Sequence, residues 1–153
     1  MDWSRRSLLT TAAVAGWSGR AAGTPFPDKQ WNRRLLLIFA PSDDHAGFKR
    51  MRAQTRNANF TRRDLDLVTV TGDTVRENGE PIAEPTAREL RRVYGVPAGA
   101  FAVRLVGKDG TVKLARAGAV RMDEVYALID SMPMRQEEMR QRGQLPITPQ
   151  EGS

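Results

Sequence analysis

The residues best equipped for chemistry lie in one short stretch, Pro41-Ser42-Asp43-Asp44-His45, which holds two carboxylates beside the only histidine of the chain. Carboxylates and an imidazole suit a metal ion, a His-Asp pair suits general-base work, and any of these side chains can cap a helix. Ser42 is the one nucleophile nearby. Consecutive side chains point in different directions, so a relay built from adjacent residues is not expected, and a local trio with no second ligand cluster makes a thin metal site. The expected role is therefore capping, with Ser42 or Asp43 as the N-cap of the helix that follows. The chain of 153 residues has no cysteine, which excludes disulfides, thiolate metal sites and cysteine-based redox catalysis. Neither a metal nor a cofactor is expected.

A second candidate is electrostatic. Lys49, Arg50, Arg52, Arg56, Arg62 and Arg63 follow one another with no acid between Ala46 and Arg63. They read either as a solvated helix face or as a patch for an anionic lipid, a cell-wall polymer or an acidic protein. The formal charge of +6 points the same way, although arginine outnumbers lysine 20 to 4, as in an arginine-rich proteome.

The elements that position these residues alternate between strand and helix. Leu35 to Ala40 is a continuous apolar run, as in a strand covered on both faces, and Phe101 to Val106 is nearly so. Ala46 to Asn57 reads as a helix. Leu65 to Thr71 reads as a strand with one wetter face. Gly72 to Pro85 contains Asn78-Gly79, a tight-turn pair, and is expected as a small hairpin. Thr86 to Tyr94 is a second helix stopped by Gly95. Lys108-Asp109-Gly110 turns the chain into an edge strand, Thr111 to Arg116. Helices are expected from Met122 to Ser131 and from Pro133 to Arg142, where Met132, Met134 and Met139 would pack on the core. Trp31 is expected as a core anchor at the end of the sheet, with Tyr94 and Phe101 also in the core. The order βαβ, α, ββα predicts an α/β fold whose mixed four-stranded sheet runs 2-1-3-4, with helices on both faces.

Phe39-Ala40-Pro41 before a helix resembles the corner where thioredoxins carry their cysteine pair. Tyr94-Gly95-Val96-Pro97 before an apolar strand is similar to the segment bearing their cis-proline. More specifically, NRRLLLIFAPS, YGVPAGAFAVRLVGKDGTVKL and IDSMPMRQEEMR resemble an uncharacterised peroxiredoxin-like domain family of small exported bacterial proteins and vertebrate sushi-repeat extracellular proteins. The resemblance spans Trp31 to Arg142. It implies a thioredoxin-like fold with Pro41 and Pro97 flanking the functional corner. In the thioredoxin register Asp43 and Ala46 replace the cysteines. In the peroxiredoxin register Pro41 matches, His45 replaces threonine and Phe48 replaces cysteine, so no thiolate remains to attack a peroxide.

The N-terminus reads as an address. Arg5-Arg6 precede the apolar Leu8 to Gly16 and then small residues up to Gly23, the order of an export signal too short to span a bilayer. Ser4-Arg5-Arg6-Ser7-Leu8-Leu9 resembles the twin-arginine export motif. The alternatives are an uncleaved amphipathic helix or membrane anchor. Cleavage after Gly23, with Ala21 the other option, leaves 21 basic and 17 acidic residues, a charge of +4. The expected organisation is an export signal over 1–23, a leader over 24–30, a thioredoxin-like domain over 31–142 and a disordered tail over 143–153. The expected location is periplasmic or secreted, with no transmembrane anchor after cleavage. Partners would be a protein or an anionic cell-envelope component, not nucleic acid. Binding is the expected role; cysteine-free enzymatic chemistry, or metal or anion binding at Asp43 to His45, is the alternative.

Overall fold

A computed structural model describes residues 24–144; the expected export signal and the segment from residue 145 onward lie outside the described residues. The elements run β1 (Arg34–Ala40), α1 (Ala46–Arg52), α2 (Ala58–Arg62), β2 (Leu65–Thr71), β3 (Thr74–Glu77), β4 (Glu80–Ile82), α3 (Ala87–Tyr94), β5 (Ala102–Val106), β6 (Val112–Arg116), α4 (Met122–Asp130) and α5 (Pro133–Arg142). All strands join one mixed sheet in the order β4-β3-β2-β1-β5-β6. β1 and β2 are parallel, and every other neighbouring pair is antiparallel. Among the described residues no helix is long and apolar enough to cross a membrane.

The apolar run of β1 is explained by burial on both faces. Leu36, Ile38 and Ala40 pack with Phe48 and Met51 of α1, Phe60 of α2, and Val125, Tyr126 and Ile129 of α4. Leu35, Leu37 and Phe39 pack on the opposite face with Leu90 and Tyr94 of α3 and with Phe26 of the leader. Each such side chain contributes about 1.5–3 kcal/mol through burial, so a polar substitution anywhere in β1 removes a contact that no neighbour replaces. α3 has the predicted limits: the Thr86 hydroxyl accepts from the Glu89 amide, and Gly95 closes the helix at φ 68°.

The four-stranded sheet expected from the sequence is corrected to six strands. The Gly72–Pro85 hairpin is not an appendage, because β3 pairs along β2 from Thr71↔Thr74 to Val68↔Glu77 and carries β4 with it. The wetter face expected of β2 is likewise absent, since all seven of its residues are buried. Its polar Asp66 is not solvated; it is held by Lys29, Arg33 and Asn78. The helix expected from Ala46 to Asn57 is two helices. α1 ends at Arg52, Arg56 turns to φ 60°, and the Asn57 side chain accepts from the Asn59 amide to start α2. An asparagine that bonds forward to the backbone competes with helix continuation. Trp31 is not a core anchor: it is 61% exposed at φ 71°, and Phe26 is the leader residue that is buried. Of the three methionines, Met139 is buried, Met132 rests against the core and Met134 is exposed.

Helix α5 is attached mainly by charge. Asp130, Arg63 and Arg135 side chains are each about 1% exposed. Asp130 accepts from Arg63 Nε and Nη2 at 3.0 and 2.8 Å, and from Arg135 Nε at 3.0 Å. Arg135 also reaches the Arg62 carbonyl and the Gln144 side chain. Beside it, Glu138 takes both terminal nitrogens of buried Arg34 and shares Lys108 with Asp64. Burial alone would raise the Asp64 and Glu138 carboxyls. Hydrogen bonds from Lys108 and Arg142 to Asp64, and from Arg34 and Lys108 to Glu138, outweigh it and hold both below the usual carboxylate range. Asp66 is lowered in the same way by Arg33 and Lys29.

A folded-state carboxyl held low adds stability above its unfolded value of about 4, and that stability disappears as pH falls through the folded value. The urea midpoint should therefore stay flat above about pH 5 and fall steadily below about pH 4. Glu138→Gln should cost about 1–3 kcal/mol at pH 7 and make the acid decline shallower. A midpoint unchanged down to pH 3 would contradict this.

Candidate functional site

The corner after β1 divides its polar residues among three tasks. The Ser42 hydroxyl accepts from the Asp44 amide at 3.3 Å, and the Ser42 carbonyl accepts from the His45 amide at 3.3 Å. This serine turn occupies the positions expected to cap the helix, which starts at Ala46 as expected. The N-cap is thus His45, not Ser42 or Asp43: its Nδ1 accepts from the Phe48 amide at 3.4 Å. An accepting Nδ1 is the unprotonated ring nitrogen. The His45 ring also stacks on Phe101, with centroids 4.7 Å apart and planes 8° from parallel. Gly47 makes room for that stack, since a Cβ there would lie 3.2 Å from His45 Cε1 and 3.3 Å from Phe101 Cζ. His45 therefore ties the start of α1 to the entrance of β5.

Asp43 turns the other way. It is 53% exposed, and its Oδ1 lies 3.7 Å from Arg76 Nη1 on β3. Asp44 is exposed. Among the described residues no three His, Cys, Asp or Glu side chains are grouped to hold a metal ion. α1 has only seven residues, and the amide of Phe48 in its first turn is already taken by His45. Pro41 closes the strand beside Gly72, and Pro97 lines a pocket of about 310 Å³ with Val96, Phe101 and Arg104. The bond before Pro97 is trans, the cis bond among the described residues being Glu84–Pro85.

The six-residue basic patch does not form one surface. Lys49 and Arg50 are exposed on α1. Arg62 is exposed, and its carbonyl accepts from Arg135 and Arg142. Arg63 is buried against Asp130 with its guanidinium 4.7 Å above the Tyr126 ring, so it is a structural cation and not part of a docking patch. Arg52 and Arg56 instead enter a cleft of about 710 Å³ between α1, β2 and β3, where they meet Arg76, Asp43 and Thr69. Arg76 was not singled out in the sequence; its visible signal is an isolated cation in the turn-bounded hairpin insert.

These features define a mixed α/β domain with a cysteine-free strand-to-helix corner and an arginine-lined cleft beside it. Residues 25–138 match the family described as Domain of unknown function (DUF4174), and the chain belongs to that family. Coiled-coil domain-containing protein 80 of Danio rerio is 30% identical in an alignment of 129 residues that covers 72% of this chain; the chain spans 15% of that relative's length. Among solved structures, reduced 2-Cys peroxiredoxin of Plasmodium vivax is similar at 13% identity with a TM-score of 0.48, over 83% of this chain and 78% of that one.

The His45 geometry gives a test of the corner's structural role. His45→Ala removes both the cap and the stack and should cost about 1–2.5 kcal/mol. His45→Asn keeps a capping acceptor and should recover roughly half of that loss. Urea denaturation measures both, and an unchanged midpoint in His45→Ala would contradict the assignment.

Proposed function

We propose that this chain is an exported, thioredoxin-like binding module without thiol redox activity, working in the periplasm or outside the cell. The observation that carries the reading is the corner itself. No cysteine thiol is present in the chain to be oxidised, and the residue with the most versatile side chain, His45, already caps α1 and stacks on Phe101. Asp43 faces Arg76 instead of His45, so among the described residues no carboxylate is seen to orient the imidazole as a base, and Ser42 Oγ accepts from the Asp44 amide and not from His45. Membership of the DUF4174 family is consistent with this reading and names no activity.

Export is supported by the order of Arg5-Arg6, the apolar Leu8 to Gly16 and the small residues up to Gly23. The partner would be a protein or an anionic component of the cell envelope, because the chain is cationic overall and its cleft presents three guanidinium groups. Cell fractionation followed by assay tests both parts of the proposal. The full chain expressed in a bacterial host should appear in the periplasm with its N-terminus shortened. That fraction should reduce hydrogen peroxide with a thiol donor no faster than a heat-denatured control. Thiol-dependent turnover above the control, or cytoplasmic retention of the intact chain, would overturn the proposal.

A further inference from the structure

The cleft between α1, β2 and β3 is lined by more cations than anions. Buried and half-buried arginines elsewhere end on carboxylates or carbonyls: Arg33 on Asp66, Arg34 on Glu138, Arg63 and Arg135 on Asp130, Arg91 on the Gly72 carbonyl. In the cleft, Arg52, Arg56 and Arg76 meet a single acid, Asp43, which is half-exposed and 3.7 Å from Arg76. Among the described residues no carboxylate pairs with Arg52 or Arg56. Three cations against one anion leave the cleft about two positive charges in excess.

Each of the three guanidiniums has a neighbour in the cleft, although Arg52 and Arg56 are exposed and form no ion pair among the described residues. Arg52 Cζ lies 5.4 Å over the Phe48 ring, a cation–π contact. Arg56, at φ 60° in the link between α1 and α2, lays its guanidinium on the β3–β4 turn, where a Cβ on Gly79 would sit 2.7 Å from Nη1. Gly79 is itself at φ 90°, so this position needs glycine for its backbone as well as for the arginine above it. Arg76 Nη1 rests 3.4 Å from the Thr71 hydroxyl. Thr69, on the buried face of β2, adds a hydroxyl to the lining.

We propose that this cleft binds a dianionic phosphoryl group, which rests on the reading of the chain as a binding module and names its ligand chemistry. Planar guanidinium forks match the oxygens of a phosphoryl group through paired N–H donors. A dianion also balances the net charge of two, whereas a monocarboxylate leaves half of it uncompensated. Asp43 acts as a weak internal counter-ion that the incoming group displaces from Arg76.

Titration of the ¹⁵N-labelled full chain in phosphate-free buffer at constant ionic strength tests this. The probes are inorganic phosphate, glycerol phosphate and acetate. Both phosphoryl probes should give saturable shifts of the Arg52, Arg56 and Arg76 side-chain Nε–H signals and of the Gly79 amide, and acetate should not. Tighter binding of glycerol phosphate would assign a phosphomonoester, and equal binding would assign free phosphate. Arg52→Gln and Arg76→Gln should each weaken binding about tenfold or more, while Arg140→Gln on α5 leaves it unchanged. Asp43→Asn should strengthen it, an effect opposite in sign to the arginine variants and not expected from structural damage. Circular dichroism of each variant separates lost binding from lost folding. Absence of saturation with both phosphoryl probes, equal saturation with acetate, or weakened binding in a folded Asp43→Asn would overturn the proposal. A peroxidase-active chain would instead overturn the binding-module reading, whatever the titration shows.

Discussion

Two arginines share one carboxylate inside this molecule. Asp130 at the end of α4 takes three hydrogen bonds from Arg63 and Arg135, all three side chains being removed from water. Removing one partner of such a pair costs about 3–5 kcal/mol, because the charges left behind have no solvent to turn to. The cluster therefore constrains the elements around it. Arg63 fixes the exit from α2 into β2, Asp130 fixes the end of α4, and Arg135 seats α5, whose single buried apolar side chain is Met139. From there the charges pass to Glu138, Arg34, Lys108, Asp64 and Arg142, joining α5 to the first turns of β1 and β2.

This arrangement governs where the remaining charge is found. The acids nearest the helical side are committed to internal arginines and lysines, so they are not available to neutralise the cations at the opposite end of α1. Arg52, Arg56 and Arg76 retain an excess charge in a concave site as a consequence. The strand-to-helix corner is drawn into the frame in a parallel way. His45 caps α1 and stacks on Phe101, and Asp43 is the one residue of the corner that faces the cleft. With no cysteine, thiol chemistry of the thioredoxin kind is absent from the corner.

Patterns of apolar residues were legible where burial follows from hydrophobicity alone. β1 and β5, the limits of α3 and α5 and the Asn78-Gly79 hairpin could all be read in this way. Charged residues were not, since a cation reads the same whether water or a buried carboxylate receives it. Arg63 looked like part of a solvated patch, and only the fold reveals that Asp130, 67 residues away, neutralises it. Asp66 misled in the same sense, making buried β2 look peripheral. The N-cap was misplaced because Ser42 has two ways to bond the backbone, and the turn it forms with Asp44 excludes the cap it could have made. Arg76 lay in an insert whose pairing along β2 had no sequence signature beyond its turn, so two cleft arginines were recognisable but not the site.

The arginines divide into an internally neutralised set that holds the frame and an exposed or half-exposed set at the cleft. Phenylglyoxal labelling of the native full chain, mapped by mass spectrometry, reads that division directly. Arg34, Arg63 and Arg135 should remain unmodified until urea unfolds the chain, while Arg52, Arg56 and Arg76 react in the folded state as Arg140 does. Modification of Arg63 and Arg135 in the native chain at the rate of Arg140 would contradict the account.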